Sequence, residues 1–340
     1  MICLRVLWIS TLVPLPCLAQ DNPEPDGGYH LGEGFQIPDT GIRVGGFVTG
    51  TYDKPDNGES RLAVDNFSLF LWWDGEGRLK FFSELEYDNF QFTQPRPPDE
   101  AGYLSLERAY FDYSLTDTTD VRVGKFLTPI GRWNLVHAPP LVWTTSRPLV
   151  TTLPFPTNMT GLMVNGTLPN IGNGIEYSVY ASSGNELWPN PSLDLFSSAF
   201  GAHVTWTIVP SMQLGFSYAD FEQEQTKPER KVLTGVDFLW SHNRFELSAE
   251  ALYRASDQGA AQDERGGYVQ LVAPLSQRLY AVVRYESYRV ARELAPTHLT
   301  VAGLNFRILP ALVLKAEWAE SHHNTIGAPD GLLTSINVLF

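Results

Sequence analysis

Residues 79–92 read LKFFSELEYDNFQF. In an extended chain, successive side chains point to opposite faces. Leu79, Phe81, Leu85 and Tyr87 then share one face, while Glu84, Glu86 and Asp88 share the other. The same two-sided pattern returns downstream. Phe245, Leu247, Ala249, Ala251 and Tyr253 oppose Arg244, Glu246, Ser248, Glu250 and Arg254. Leu279, Ala281, Val283 and Tyr285 oppose Arg278, Arg284 and Glu286. Leu312, Leu314, Ala316 and Trp318 oppose Lys315 and Glu317.

Alternating runs of about ten residues, bounded by turn residues, have the length of membrane-crossing strands. They lie at 41–52, 62–73, 79–92, 103–115, 120–128, 158–168, 174–182, 195–209, 211–221, 231–241, 244–255, 267–275, 278–290, 299–309, 311–321 and 332–340. The connections alternate between tight turns, such as 242–243 and 276–277, and longer polar segments, such as 183–194 and 256–266. Short turns at one end and long loops at the other are the asymmetry of an outer-membrane barrel. No run after the N-terminal segment approaches the ~18 apolar residues of a spanning helix. Lipid cannot satisfy open backbone groups, so spanning strands must close on themselves. The sequence predicts an all-β fold: a transmembrane antiparallel β-barrel of about sixteen strands spanning 41–340. A charge facing lipid costs about 2–4 kcal/mol near the midplane, so the charged faces must line a wet lumen.

Other features agree. Charged residues are 18% of the chain and aromatic residues 12%. Trp72, Trp73, Tyr110, Phe111, Tyr113, Trp206, Trp240 and Phe306 fall near the short turns. Tyr87, Phe216, Tyr218, Tyr253, Tyr285 and Trp318 lie nearer the long loops, as two interfacial girdles require. Residues 1–19 read as a secretory signal peptide, with Arg5, an apolar core at 6–13, and small residues before a cut near Ala19. Both cysteines, Cys3 and Cys17, lie within it. Residues 20–40 read as a disordered or lumen-tucked lead. Glycines 41, 45, 46 and 50 make the first strand a candidate flank against another subunit.

One connection is different. Residues 129–157 read PIGRWNLVHAPPLVWTTSRPLVTTLPFPT. Structureless connections of this length are usually functional. Trp133, Leu135, Val136, Leu141, Val142, Trp143, Leu149, Val150, Leu153 and Phe155 make it too apolar for a solvated loop. The expectation is a third long loop folded into the lumen. Arg132, His137 and Arg147 would then form a constriction opposite Glu84, Glu86 and Asp88. Arg122, Arg244, Arg278, Arg284, Glu286, Arg307 and Lys315 would line the remaining pore wall.

About sixteen strands, an infolded third loop and an alternating last strand ending on Phe340 together resemble the outer-membrane porin superfamily. The stretch Arg122-Val123-Gly124-Lys125-Phe126-Leu127-Thr128-Pro129-Ile130-Gly131, with Leu85-Glu86-Tyr87-Asp88, is similar to the phosphate-selective porin-like group. The resemblance implies a passive, typically trimeric channel and makes Phe340 an assembly signal read by the barrel-assembly machinery. It also places the chain in the bacterial outer membrane, among lipid and lipopolysaccharide. A phosphate-selective channel would carry a ladder of Arg and clusters of Lys, whereas here both signs face the lumen. The function expected is a passive, water-filled channel for small hydrophilic solutes or ions, anions among them, without a cofactor.

Other classes fit less well. The net charge of −14 argues against nucleic acid. A barrel enzyme of protease or phospholipase type is the alternative. No Ser or Asp catalytic partner for His203, His242, His298, His322 or His323 is fixed by sequence, and no catalytic residue is assigned. Asp53, Asp56, Glu59 and Asp65 lack calcium-loop spacing, so no metal site is expected.

Overall fold

The computed structural model describes residues 28–75, 77–91 and 102–340. The expected signal peptide lies outside these residues. Two short strands come first, β1 (Tyr29–His30) and β2 (Gly34–Ile37). The barrel follows with β3 (Ile42–Pro55), β4 (Arg61–Asp74), β5 (Leu79–Gln91), β6 (Tyr103–Thr116), β7 (Thr119–Leu127), β8 (Asn158–Leu168), β9 (Ile175–Ser182) and β10 (Phe196–Val209). It continues with β11 (Met212–Gln223), β12 (Arg230–His242), β13 (Phe245–Ser256), β14 (Glu264–Pro274), β15 (Leu279–Arg289), β16 (Thr297–Leu309), β17 (Leu312–His322) and β18 (Gly331–Leu339).

Each barrel strand pairs antiparallel with the next, and β18 returns to β3 from Gly331↔Pro55 to Leu339↔Phe47. Setting aside the β1–β2 pair, sixteen strands close the sheet, with every expected strand present and ends differing by a few residues. Closure removes the sheet edges that lipid could not satisfy.

Of the two forms expected for the lead segment, disordered or lumen-tucked, its described part is not disordered: it forms a hairpin. β18 reaches only to Phe47, so Ile42–Val44 of β3 would present an open edge. β2 takes that edge, with Phe35↔Val44 and Ile37↔Ile42 in register. The glycines of β3 also serve this seam. A side chain on Gly46 would meet the Ser68 carbonyl at 2.0 Å, and one on Gly45 the Phe340 carbonyl at 2.8 Å.

The outer face is apolar. Phe216, Val236, Val269, Leu271, Val283, Leu304 and Ile336 are exposed on it. Phe111, Trp206, Phe245 and Phe306 ring the short-turn end; Tyr87, Tyr218, Tyr253, Tyr285 and Trp318 ring the long-loop end. Trp72 and Tyr110 depart from the expected girdle, because they pack with Phe47, Phe70 and Phe82 on the inner face. The core lies inside the barrel, between its wall and the 128–157 connection. Ile130 and Phe155 of that connection join Phe126, Met159, Tyr180 and Phe221 in one cluster. Trp133, Val142, Leu149 and Val150 join Tyr268, Tyr288, Leu299 and Val301 in a second. Burying this apolar surface removes it from water at about 25 cal/mol per Å², which is why the segment turns inward.

Candidate functional site

The loop is tied first at its root. Thr128 Oγ1 donates to the Pro156 carbonyl at 2.7 Å, and Asn134 Nδ2 donates to the Thr128 and Thr157 carbonyls, each at 2.9 Å. The chain turns at Gly131, whose φ is +66°. A side chain there would lie 2.1 Å from Glu250 Oε2. Only glycine permits both the backbone conformation and the close carboxylate.

Beyond the root, the inner wall acts as a polar bed. Glu250 Oε1 on β13 accepts the Arg132 and Trp133 amides at 3.2 and 2.6 Å. Glu286 on β15 accepts the Leu149 amide at 2.6 Å. Glu317 on β17 accepts the Thr145 and Ser146 amides at 2.8 and 2.7 Å. Three carboxylates on alternate strands thus take backbone donors that would otherwise be buried unpaired. Cations take the carbonyls. Lys315 Nζ donates to Pro139 and Thr144. Arg284, fully buried, donates to the Ser146 carbonyl at 3.1 Å and to the Thr144 and Ser146 hydroxyls, and it pairs with Glu286 at 2.6 Å.

This corrects several assignments. Arg284, Glu286 and Lys315 face inward, yet they hold the loop instead of presenting free charge to a pore. Arg244 and Arg278 do not line the wall at all. Arg244 donates to the Ser276 and Gln277 carbonyls across two short turns, and Arg278 is exposed in one of those turns. Alternation placed them correctly by face, but the chain leaves the strand at both positions. Arg307 does face inward, with its guanidinium 4.3 Å from the Trp143 ring of the loop.

The opposite wall carries the acidic residues. Glu84, Glu86 and Asp88 of β5 are all buried on the inner face. Arg108 Nε donates to Glu84 at 2.5 Å; Asn66 Nδ2 donates to Glu86 at 2.9 Å and to Asp88 at 3.0 Å. A fourth acid, Glu107, joins them; it accepts from Asn158 at 2.8 Å and from Ser105 at 3.1 Å. Strict alternation from Arg108 would send Glu107 toward lipid. A β-bulge between Glu84↔Arg108 and Leu85↔Leu106 turns both inward. Nothing in the local sequence marks that bulge.

The three loop residues separate. Arg147 lies toward the acidic wall, 4.9 Å over the Trp133 ring, in the field of Glu107, Glu86 and Asp88 but without an ion pair to them among the described residues. His137 is beside it, with Nδ1 3.0 Å from the Asn134 carbonyl. Burial, then the charges of Arg147 and Arg108, hold its imidazole well below the usual range. Arg132 does not face Glu84, Glu86 and Asp88. It crosses to the other wall, donating to Gln213 at 2.7 Å with Asp237 at 3.6 Å.

Folding also brings together groups that sequence left apart. His203 Nδ1 lies 2.8 Å from Ser217 Oγ, and Nε2 lies 3.7 Å from Asp237. The resemblance to a nucleophilic triad is superficial. Ser217 Oγ already accepts the Gly131 amide at 3.0 Å, and His203 Nε2 is 3.0 Å from Thr205 Oγ1. All three side chains are buried. Among the described residues, no group of three or more His, Cys, Asp or Glu could hold a metal ion.

The basic residues of the Arg122–Lys125 stretch are both neutralised. Arg122 makes a two-pronged pair with Asp112 at 2.7 and 2.8 Å. Lys125 is on the outer face and pairs with Glu186 at 3.1 Å.

The whole barrel aligns with OmpF of Salmonella typhi, solved with daunomycin, at TM-score 0.68 over 89% of this chain and 99% of that one, with 11% sequence identity. The chain has the porin fold. An anion-selective porin from Comamonas acidovorans aligns at TM-score 0.59 over 88% of this chain and 98% of that one, at 14% identity. OmpT of Vibrio cholerae in a trimer form aligns at 0.62 over 88% and 99%, at 8% identity. No protein-family model matches the sequence. A stretch of 110 residues, 32% of this chain, is 33% identical to an uncharacterized protein of Aquifex aeolicus (strain VF5) and spans 24% of that protein's length. A closed barrel with this exposed apolar band can cross a lipid bilayer with its strands.

Proposed function

We propose that the protein is a passive channel for small hydrophilic solutes, narrowed where the 128–157 loop approaches β5 and β6. The observation that carries this reading is the bed of Glu250, Glu286 and Glu317, which holds the loop inside the barrel by its backbone amides. On the loop's opposite side Arg147 lies in the field of the buried Glu107, Glu86 and Asp88. Opposed charges at a narrow point favour hydrated polar solutes over apolar ones. Ser217 is held by the Gly131 amide and His203 and is not a free nucleophile, which weighs against the barrel-enzyme alternative at that cluster. A homotrimer completes the proposal. A shallow apolar depression of about 650 Å³ on the outer wall, lined by Gly50, Leu304, Leu314, Ala316 and Ile336, suits a neighbouring subunit.

The test is conductance of the purified protein in planar bilayers. Discrete openings in potassium chloride are expected, with larger conductance after residues 139–150 are replaced by a short glycine-serine linker. A folded barrel that leaves the bilayer silent, with or without that segment, overturns the reading.

A further inference from the structure

The inner face of β3 to β7 carries a feature that loop anchoring does not use. Arg43, Trp72, Phe82, Tyr110 and Gly124 stand in a single inter-strand row, each opposite the next. The rings form a continuous shelf: Trp72 to Phe82 and Phe82 to Tyr110 are each 5.5 Å between centroids. Three arginines border it. Arg43 lies 4.7 Å over Trp72, Arg108 4.6 Å over Phe82 and Arg122 3.7 Å over Tyr110. Ala138 of the loop packs against the same cluster, so the shelf adjoins the narrowed region.

The charges are unevenly layered. Glu84, beneath Arg108, has no exposed side-chain surface, whereas Arg108 keeps 21%. Arg122 and Asp112 are similarly exposed, at 21% and 19%. Arg43 has no ion-pair partner among the described residues. The shelf therefore offers apolar rings with roughly one uncompensated guanidinium, a planar donor that matches a carboxylate. A phosphate dianion would need a second free cation, and Arg108 and Arg122 are already paired.

We propose that this shelf is a binding station for small monocarboxylates with a flat apolar body, the carboxylate on Arg43 and the body on the Trp72 side of the shelf. The station rests on the reading of the lumen as a solute path, and it narrows the solute class within it. Titration calorimetry on the detergent-folded barrel tests it with benzoate, acetate and inorganic phosphate as probes. Saturable benzoate binding is expected, with acetate about tenfold weaker for want of a stacking body and phosphate weaker than benzoate. Arg43→Gln and Trp72→Leu should each weaken benzoate by about tenfold. Arg43→Lys, which keeps charge but not the plane, should restore only part. Benzoate no tighter than acetate, or indifferent to both substitutions in a barrel of normal heat-modifiable mobility, overturns the proposal. Binding needs no ion flow. A barrel that conducts without binding benzoate defeats the station alone, and one that binds benzoate without conducting defeats the channel reading alone.

Discussion

Phe340 and Gly46 exchange both main-chain hydrogen bonds, at 2.9 and 2.8 Å, and the Phe340 ring lies 3.0 Å from where a Gly46 side chain would begin. The ring also stacks on Phe67 at 5.9 Å. The barrel is therefore closed at one point by a residue pair in which one member must lack a side chain. Gly46→Ala should reduce the folded fraction, because a methyl would press on the Ser68 carbonyl at 2.0 Å as well; overpacking of this kind costs about 1–3 kcal/mol or more. Gly235→Ala is the control, since its nearest neighbour would be 3.5 Å away. Heat-modifiable gel mobility of refolded protein reads both. Equal folded fractions for the two variants would show that the seam tolerates a side chain.

A second expectation concerns the loop bed. Glu317→Gln keeps acceptor geometry but removes the charge that holds two amides, and Glu286→Gln does the same while leaving Arg284 buried without its partner. Breaking a buried pair on one side costs about 3–5 kcal/mol. Glu286→Gln should therefore loosen the loop more than Glu317→Gln. Single-channel records should show this as larger current fluctuation, in that order. Quiet traces indistinguishable from the parent protein would mean that apolar packing alone holds the loop.

The bed also shows what sequence could carry. Period-two alternation in 79–92 and 244–255 was enough to find the strands and the inner face, because one face meets lipid and the other does not. The apolar content of 129–157 was enough to send that loop inward. Its partners were not legible. Arg284 meets Ser146 across 138 positions and Glu317 meets Thr145 across 172. An alternating Arg-x-Glu at 284 and 286 reads the same whether it lines water or grips a loop. Glu107 was hidden by a bulge, and the β1–β2 hairpin by strands too short to show a period.

Arg132 and Arg147 should now behave differently. Arg147 faces Glu86, Asp88 and Glu107, so Arg147→Ala should leave those acids to dominate the narrow region and shift the zero-current potential toward cations. Arg132→Ala instead leaves Asp237 buried with neither oxygen hydrogen-bonded, and its effect should fall on stability, at about 3–5 kcal/mol. Reversal potential and urea midpoint, measured on both variants, separate the two roles. A common effect on selectivity would place Arg132 in the constriction after all.

Lys125 poses a different problem, because it stands on the outer face between exposed Val123 and the lipid-facing side of Ala109. A charge there is costly in lipid, at about 2–4 kcal/mol near the midplane. The β6–β7 pairing stops at Ala109↔Lys125, and residues 186–188 of the loop after β9 cover the position. Nζ donates to the Leu187 and Trp188 carbonyls at 3.3 and 3.0 Å and pairs with Glu186, which itself accepts from the Thr160 amide and hydroxyl. Lys125→Met removes the cation yet leaves Glu186 buried, so it should cost about 3–5 kcal/mol. Lys125→Met with Glu186→Gln should recover most of that loss, since neither charge then remains. Urea unfolding of the refolded barrel, followed by tryptophan fluorescence across the double-mutant cycle, gives the coupling. Additive effects would mean that the two side chains do not act as a pair, and that the loop is held over the outer wall by its backbone contacts alone.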